Sequence, residues 1–120
     1  MSTRAPSVAD AYIRATNQHD AGAFAALFAD TAIVDDNGRE FRGLDAIKAW
    51  SEREIFAADV TLDVMDETQR DGKTVITTKV DGNFDRTGLP DPVIITHRIT
   101  IEGEKIVGLT CRLADQQLAS

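Results

Sequence analysis

The chain is expected to fold as one α+β domain over residues 1–120, with three N-terminal helices packed on a curved antiparallel β-sheet. Three observations predict this. Apolar residues recur at helical spacing up to about residue 55, and from Val60 onward they alternate with polar ones. Paired turn residues, Asn37-Gly38 and Asp71-Gly72, separate runs of strand character. Helices gathered before a run of strands pack as layers, and a curved sheet with helices on its concave side leaves a cone open at one end. Such a cone is a natural place for an internal pocket.

Taken in order, residues 1–6 read as a loose arm. Ser7 with Asp10 forms a capping box, with Asp in place of the usual Glu. The first helix follows, with Val8, Ala9, Tyr12, Ile13 and Thr16 on one stripe, and ends at Asn17-Gln18-His19. Asp20 caps a second helix that carries Ala23, Phe24, Leu27 and Phe28 on one face and runs to Asp30. A short strand from Ala32 reaches Asp35-Asp36, and Asn37-Gly38 turns the chain back through Glu40-Phe41-Arg42. Gly43 opens a third helix, Leu44 to about Ile55, whose buried stripe is Leu44, Ile47, Trp50 and either Glu54 or Ile55.

Val60, Leu62 and Val64 then alternate with Thr61, Asp63 and Met65 as a strand. Lys73–Phe84 is a long β-branched strand, and residues 85–92 are a loop rich in Gly and Pro. Val93–Ile101 and Ile106–Leu113 close the sheet around Glu102-Gly103-Glu104. The polar tail, 114–120, is expected to fray.

A net charge of −7 leaves no basic surface for phosphates, which disfavours nucleic acid and anionic membranes as partners. The single cysteine, Cys111, rules out an internal disulfide and reads as a small buried hydrophobe. No apolar run approaches the ~20 residues of a membrane span. The N-terminus lacks an apolar leader, so a cytoplasmic location is expected. No His-x-x-His, Cys-x-x-Cys or Gly-rich phosphate loop is present, so neither metal nor nucleotide cofactor is expected.

The carboxylate pair carries the chemistry. Side chains on a strand alternate faces, so Asp35 and Asp36 point opposite ways, and Asp36 shares its face with Val34 and Ala32. A lone carboxylate facing an apolar interior is costly unless it has a partner or a task. In a dry pocket a carboxylate gains basicity and can serve as a general base.

The chain resembles the nuclear transport factor 2-like superfamily, in its SnoaL-like and ketosteroid isomerase-like branch. The matching residues are Tyr12, Asn17, Asp20, the block Leu27-Phe28-Ala29-Asp30, then Ala32, Val34 and Asp36. Gly43 with Ala46-Ile47 and the hairpin Ile99 to Ile106 around Gly103 and Lys105 complete the match. The resemblance implies a cone-shaped fold, a small hydrophobic ligand, and a homodimer formed through the outer sheet face, for which Ile76, Thr78 and Val93 are candidates. Ketosteroid isomerases use a strand aspartate as base, a tyrosine on the first helix as donor, and a strand carboxylic acid as second donor. Tyr12 and Asp36 stand at the first two of these places. The third is held by Thr96 or, with a one-residue deletion in the last hairpin, by His97; strand alternation favours His97, which shares its face with Ile95 and Ile99. The catalytic candidates are therefore Asp36, Tyr12 and His97, and the expected pocket lining is Phe28, Trp50, Phe56, Leu109, Cys111 and Leu113. The loss of the acid argues against faithful ketosteroid isomerase activity. Isomerase, cyclase or dehydratase chemistry on a small carbonyl compound stays open, as does a non-catalytic binding or dimerisation module.

Overall fold

A computed structural model describes residues 7–85 and 87–113. The expected N-terminal arm and C-terminal tail lie outside the described residues. Three α-helices, α1 (Val8–Asn17), α2 (Ala21–Ala26) and α3 (Leu44–Ser51), pack on a six-stranded sheet. Its strands are β1 (Phe28–Asp36), β2 (Arg39–Arg42), β3 (Thr61–Arg70), β4 (Lys73–Asp81), β5 (Val93–Glu102) and β6 (Lys105–Leu113). The sheet is curved and unclosed, in the order β2-β1-β6-β5-β4-β3. The α+β class is as the sequence predicts.

The local signals act as their chemistry requires. The Ser7 hydroxyl accepts from the Asp10 N–H at 3.0 Å, and the Asp10 carboxylate accepts from the Ser7 N–H. Asn37 and Gly38 both take positive φ, as do Asp71 and Gly72, which is the two-residue turn that matches strand twist.

Three boundaries and one strand direction differ from expectation. First, α2 stops at Ala26, and Phe28 is buried from the start of a nine-residue strand rather than from a helical stripe. The added strand length comes from pairing with β6, where Phe28 sits opposite Ile106. Second, that β1–β6 pairing is parallel, while every other ladder is antiparallel. Third, α3 gives way after Ser51 to a π-helical turn, Glu52–Phe56, closed by the Ala57 N–H donating to the Glu52 carbonyl at 2.9 Å. The wider turn carries Ile55 onto the buried face with Trp50 and leaves Glu54 half-buried beside it. Fourth, β4 ends at Asp81, because Gly82 has φ +151 and lies against the Ala58–Val60 backbone.

The outer-face candidates are also corrected. Ile76, Thr78 and Val93 are buried on the inner face, and the outward residues of β4 and β5 are Val75, Thr77, Ile94 and Thr96. Directly paired residues share a face, and these three pair with inward ones: Ile76 with His97, Thr78 with Ile95 and Val93 with Val80.

The core has two parts. The closed end of the cone is filled by aromatic rings around Phe24, whose centroid lies 5.4 Å from Tyr12, 5.2 Å from Phe28 and 5.5 Å from Phe56. Ile47, Ile99, Ile106 and Leu109 pack with them, fully buried. Between the helices and the sheet, beside Tyr12 and Trp50 of this layer, a cavity remains.

Candidate functional site

Sheet register aligns the polar side chains of the inner face. His97 on β5 sits opposite Cys111 on β6, Cys111 opposite Asp36 on β1, and Asp36 opposite Arg39 on β2. One row across an otherwise apolar floor thus reads His97, Cys111, Asp36, Arg39. The helices supply the facing wall: Tyr12 and Thr16 from α1, Trp50 from α3, and Glu54 and Ile55 from the π-turn. Together with Leu62, Ile95 and Leu113 these residues line a cavity of about 300 Å³.

The two aspartates divide as strand alternation requires. Asp35 points outward, where its carboxylate accepts two bonds from Arg112, at 2.9 and 3.1 Å, and one from the Gly38 N–H at 2.8 Å. These bonds hold its pKa below the usual carboxylate value. Asp36 lines the cavity with its side chain 16% exposed. Its Oδ2 accepts from Arg39 at 2.7 Å and from the Trp50 indole N–H at 3.1 Å. Among the described residues none donates to Oδ1, which is left as the unshared oxygen. Arg39 also reaches Glu54 at 3.5 Å and lies over the Phe41 ring.

His97, not Thr96, faces inward. Its Nδ1 lies 2.9 Å from the Tyr12 hydroxyl and 3.8 Å from the Cys111 sulfur, and its Nε2 lies 3.0 Å from the Thr78 hydroxyl. Burial pushes its pKa down to about 4, so at neutral pH the ring is uncharged and carries one N–H. Burial, with Cys111 and Asp36 adding to it, raises the Tyr12 phenol well above its ordinary value. Burial likewise pushes the Cys111 thiol up to about 12, which leaves it protonated and a poor nucleophile.

Of the expected lining, Trp50, Cys111 and Leu113 face the cavity. Phe28, Phe56 and Leu109 do not: the two rings pack on Phe24 at the closed end, and Leu109 is sealed beneath them opposite Val34 and Ile99. They are apolar residues of the right face but lie too deep. Sequence reasoning missed three participants, namely Arg39, Thr78 and the indole N–H of Trp50. Only Trp50 left a signal, since a buried indole N–H needs an acceptor. Among the described residues no three His, Cys, Asp or Glu side chains gather to hold a metal, and no helix is long and apolar enough to cross a membrane.

The profile of the SnoaL-like domain matches residues 9–109. The chain belongs to the SnoaL-like domain family. Solved structures agree with this assignment. A candidate polyketide cyclase from Sinorhizobium meliloti is 28% identical, with a TM-score of 0.77 over 88% of this chain and 93% of that one. A protein from Sphaerobacter thermophilus is 29% identical, with a TM-score of 0.70 over 91% of this chain and 97% of that one. A protein of ketosteroid isomerase-like fold from Catenulispora acidiphila, bound to trimethylamine, is 19% identical, with a TM-score of 0.75 over 91% and 86%. That last likeness is one of fold. No protein of curated function matches the chain.

Proposed function

We propose that this SnoaL-like protein is a small general acid–base enzyme, of the isomerase, cyclase or dehydratase type, acting on a small and mostly apolar carbonyl compound. The observation that carries the reading is the state of Asp36. Its carboxylate stands in the cavity wall with one oxygen held by Arg39 and Trp50 and the other unshared, across from the Tyr12 hydroxyl. In the proposed step Oδ1 takes a proton from the carbon next to the substrate carbonyl. The C–H electron pair moves into a new C=C bond, and the carbonyl π pair moves onto oxygen. The Tyr12 O–H stabilises that developing oxyanion, with His97 behind it. Where the enolate is conjugated with a further C=C bond, return of the proton from Asp36 to the far carbon of that dienolate gives isomerisation; where the enolate attacks a second carbonyl of the same molecule, a ring C–C bond forms, that carbonyl's π pair moves onto its oxygen, and the resulting alkoxide takes the proton back from Asp36. The candidate cyclase from Sinorhizobium meliloti is consistent with such chemistry. A homodimer on this reading uses the outward residues Val75, Thr77, Ile94 and Thr96.

The test needs no knowledge of the natural substrate. Exchange of the α-protons of a small bicyclic ketone into D₂O, followed by NMR, should be accelerated by the protein. Asp36→Asn should lower that acceleration by about 10²-fold or more, within the range general base catalysis supplies. Equal exchange in both proteins would refute the assignment of the base. A ketone that binds both proteins equally without exchange in either would favour the second reading, a non-catalytic ligand-binding module. The open cavity is compatible with that reading too.

A further inference from the structure

We propose that the outer face of the sheet carries a second site, separate from the cavity, in which Arg70, Lys73 and Arg98 bind a phosphoryl group.

The strands bring these three side chains together. Lys73 opens β4 opposite Arg70, the last residue of β3, and Val75 sits opposite Arg98 on β5. Directly paired residues share a face, and so do residues two apart on a strand, so all four side chains stand on the outward face. With Asp71 they line a hollow of about 110 Å³ beside the turn that joins β3 to β4. Of these residues only Val75 belongs to the outward set given above to a homodimer, and the hollow occupies the hairpin end of that face.

The cations of this hollow lack partners in a chain rich in acids. Acidic residues number 20 against 13 basic ones. Arg39, Arg42, Arg53 and Arg112 each hold a carboxylate oxygen, at 2.7, 3.0, 3.3 and 2.9 Å respectively. Among the described residues none, Asp71 included, forms an ion pair or a side-chain hydrogen bond with Arg70, Lys73 or Arg98. Three like charges around one hollow repel one another, and an anion seated among them relieves that repulsion. The net charge of −7, which as a total leaves no basic surface, opposes such an anion only weakly here, because charges more than about 8 Å away are largely screened at physiological ionic strength.

Size and donor geometry name the ligand class. The hollow has about four times the ~30 Å³ that a water occupies in the liquid, room for one tetrahedral oxyanion and too little for a nucleotide. Three cations from three strands match the three terminal oxygens of a phosphoryl group, which carries close to two negative charges at neutral pH. A carboxylate has two oxygens and one charge and would leave one cation unmatched. Two of the three cations are arginines, whose planar fork of N–H donors suits such oxygens. Inorganic phosphate and a phosphate monoester share this chemistry.

The experiment is a ¹H–¹⁵N NMR titration of the full chain with inorganic phosphate at neutral pH, with ionic strength held constant by potassium chloride. Saturable shifts should gather at Arg70, Lys73, Val75 and Arg98. Arg98→Gln should weaken binding by about 10-fold or more, because charge-assisted hydrogen bonds are lost, and Arg70→Gln should act alike. Arg42→Gln, on edge strand β2, should leave the affinity unchanged. Methyl phosphate binding more tightly than inorganic phosphate would assign the site to a monoester, and equal binding would assign it to the free ion. Shifts that scatter over the surface cations without saturating would overturn the proposal. So would an unchanged affinity in folded Arg98→Gln and Arg70→Gln.

Discussion

Mild acid should destabilise this protein through His97. The imidazole is 4% exposed, and its burial pushes the pKa from the ordinary 6.5 down to about 4. The unfolded chain therefore takes up this proton before the folded one does. Stability is fully present above the unfolded value and falls as the pH drops from about 6.5 to about 4. At 1.36 kcal/mol per pH unit, the loss is about 1.5 kcal/mol near the middle of that window and about 3 kcal/mol at its lower end. That is a large part of the ~5–15 kcal/mol that holds a domain together. Carboxylates with lowered pKa values, such as Asp35, lose their contributions progressively below about pH 5, so a comparison between pH 7 and 5 is largely free of them. Urea unfolding at about pH 7, 6 and 5, on the wild-type protein and on His97→Gln, measures the effect. The variant should start less stable but lose less on acidification. Parallel stability–pH curves for the two proteins would show that His97 is not held neutral by burial.

Two further outcomes follow from backbone geometry. Gly82→Ala should destabilise by about 2 kcal/mol or more, because φ of +151 excludes a side chain and the added Cβ would sit 2.9 Å from the Ala58 carbonyl; a thermal melt unchanged within error would contradict this. Asn17→Ala should cost about 2 kcal/mol by urea titration, since the Asn17 amide pairs with both the N–H and the C=O of Leu62, at 2.7 and 2.9 Å, on edge strand β3. Amide exchange at Leu62 should quicken in that variant, and protection equal to wild type would refute the clamp.

The sequence by itself determined the layers. Helical spacing before residue 55, alternation after Val60 and the paired-turn residues depend on neighbours a few positions apart, so they are legible without the fold. The same local rule placed Asp35 and Asp36 on opposite faces, because the two-residue period of a strand admits no other outcome. The tertiary structure alone decided what stands beside Asp36. Arg39 arrives by a hairpin, Trp50 by a helix, and Cys111 by a parallel pairing between β1 and β6, the first and last of the described strands in chain order. It also decided that Thr78 faces inward onto His97 and that Phe28, Phe56 and Leu109 lie beneath the cavity rather than along it. Periodicity assigns a residue to a face, but depth along that face depends on how far each strand runs before a bulge, a glycine or a π-turn shifts it. Those shifts are set by packing between segments distant in the chain.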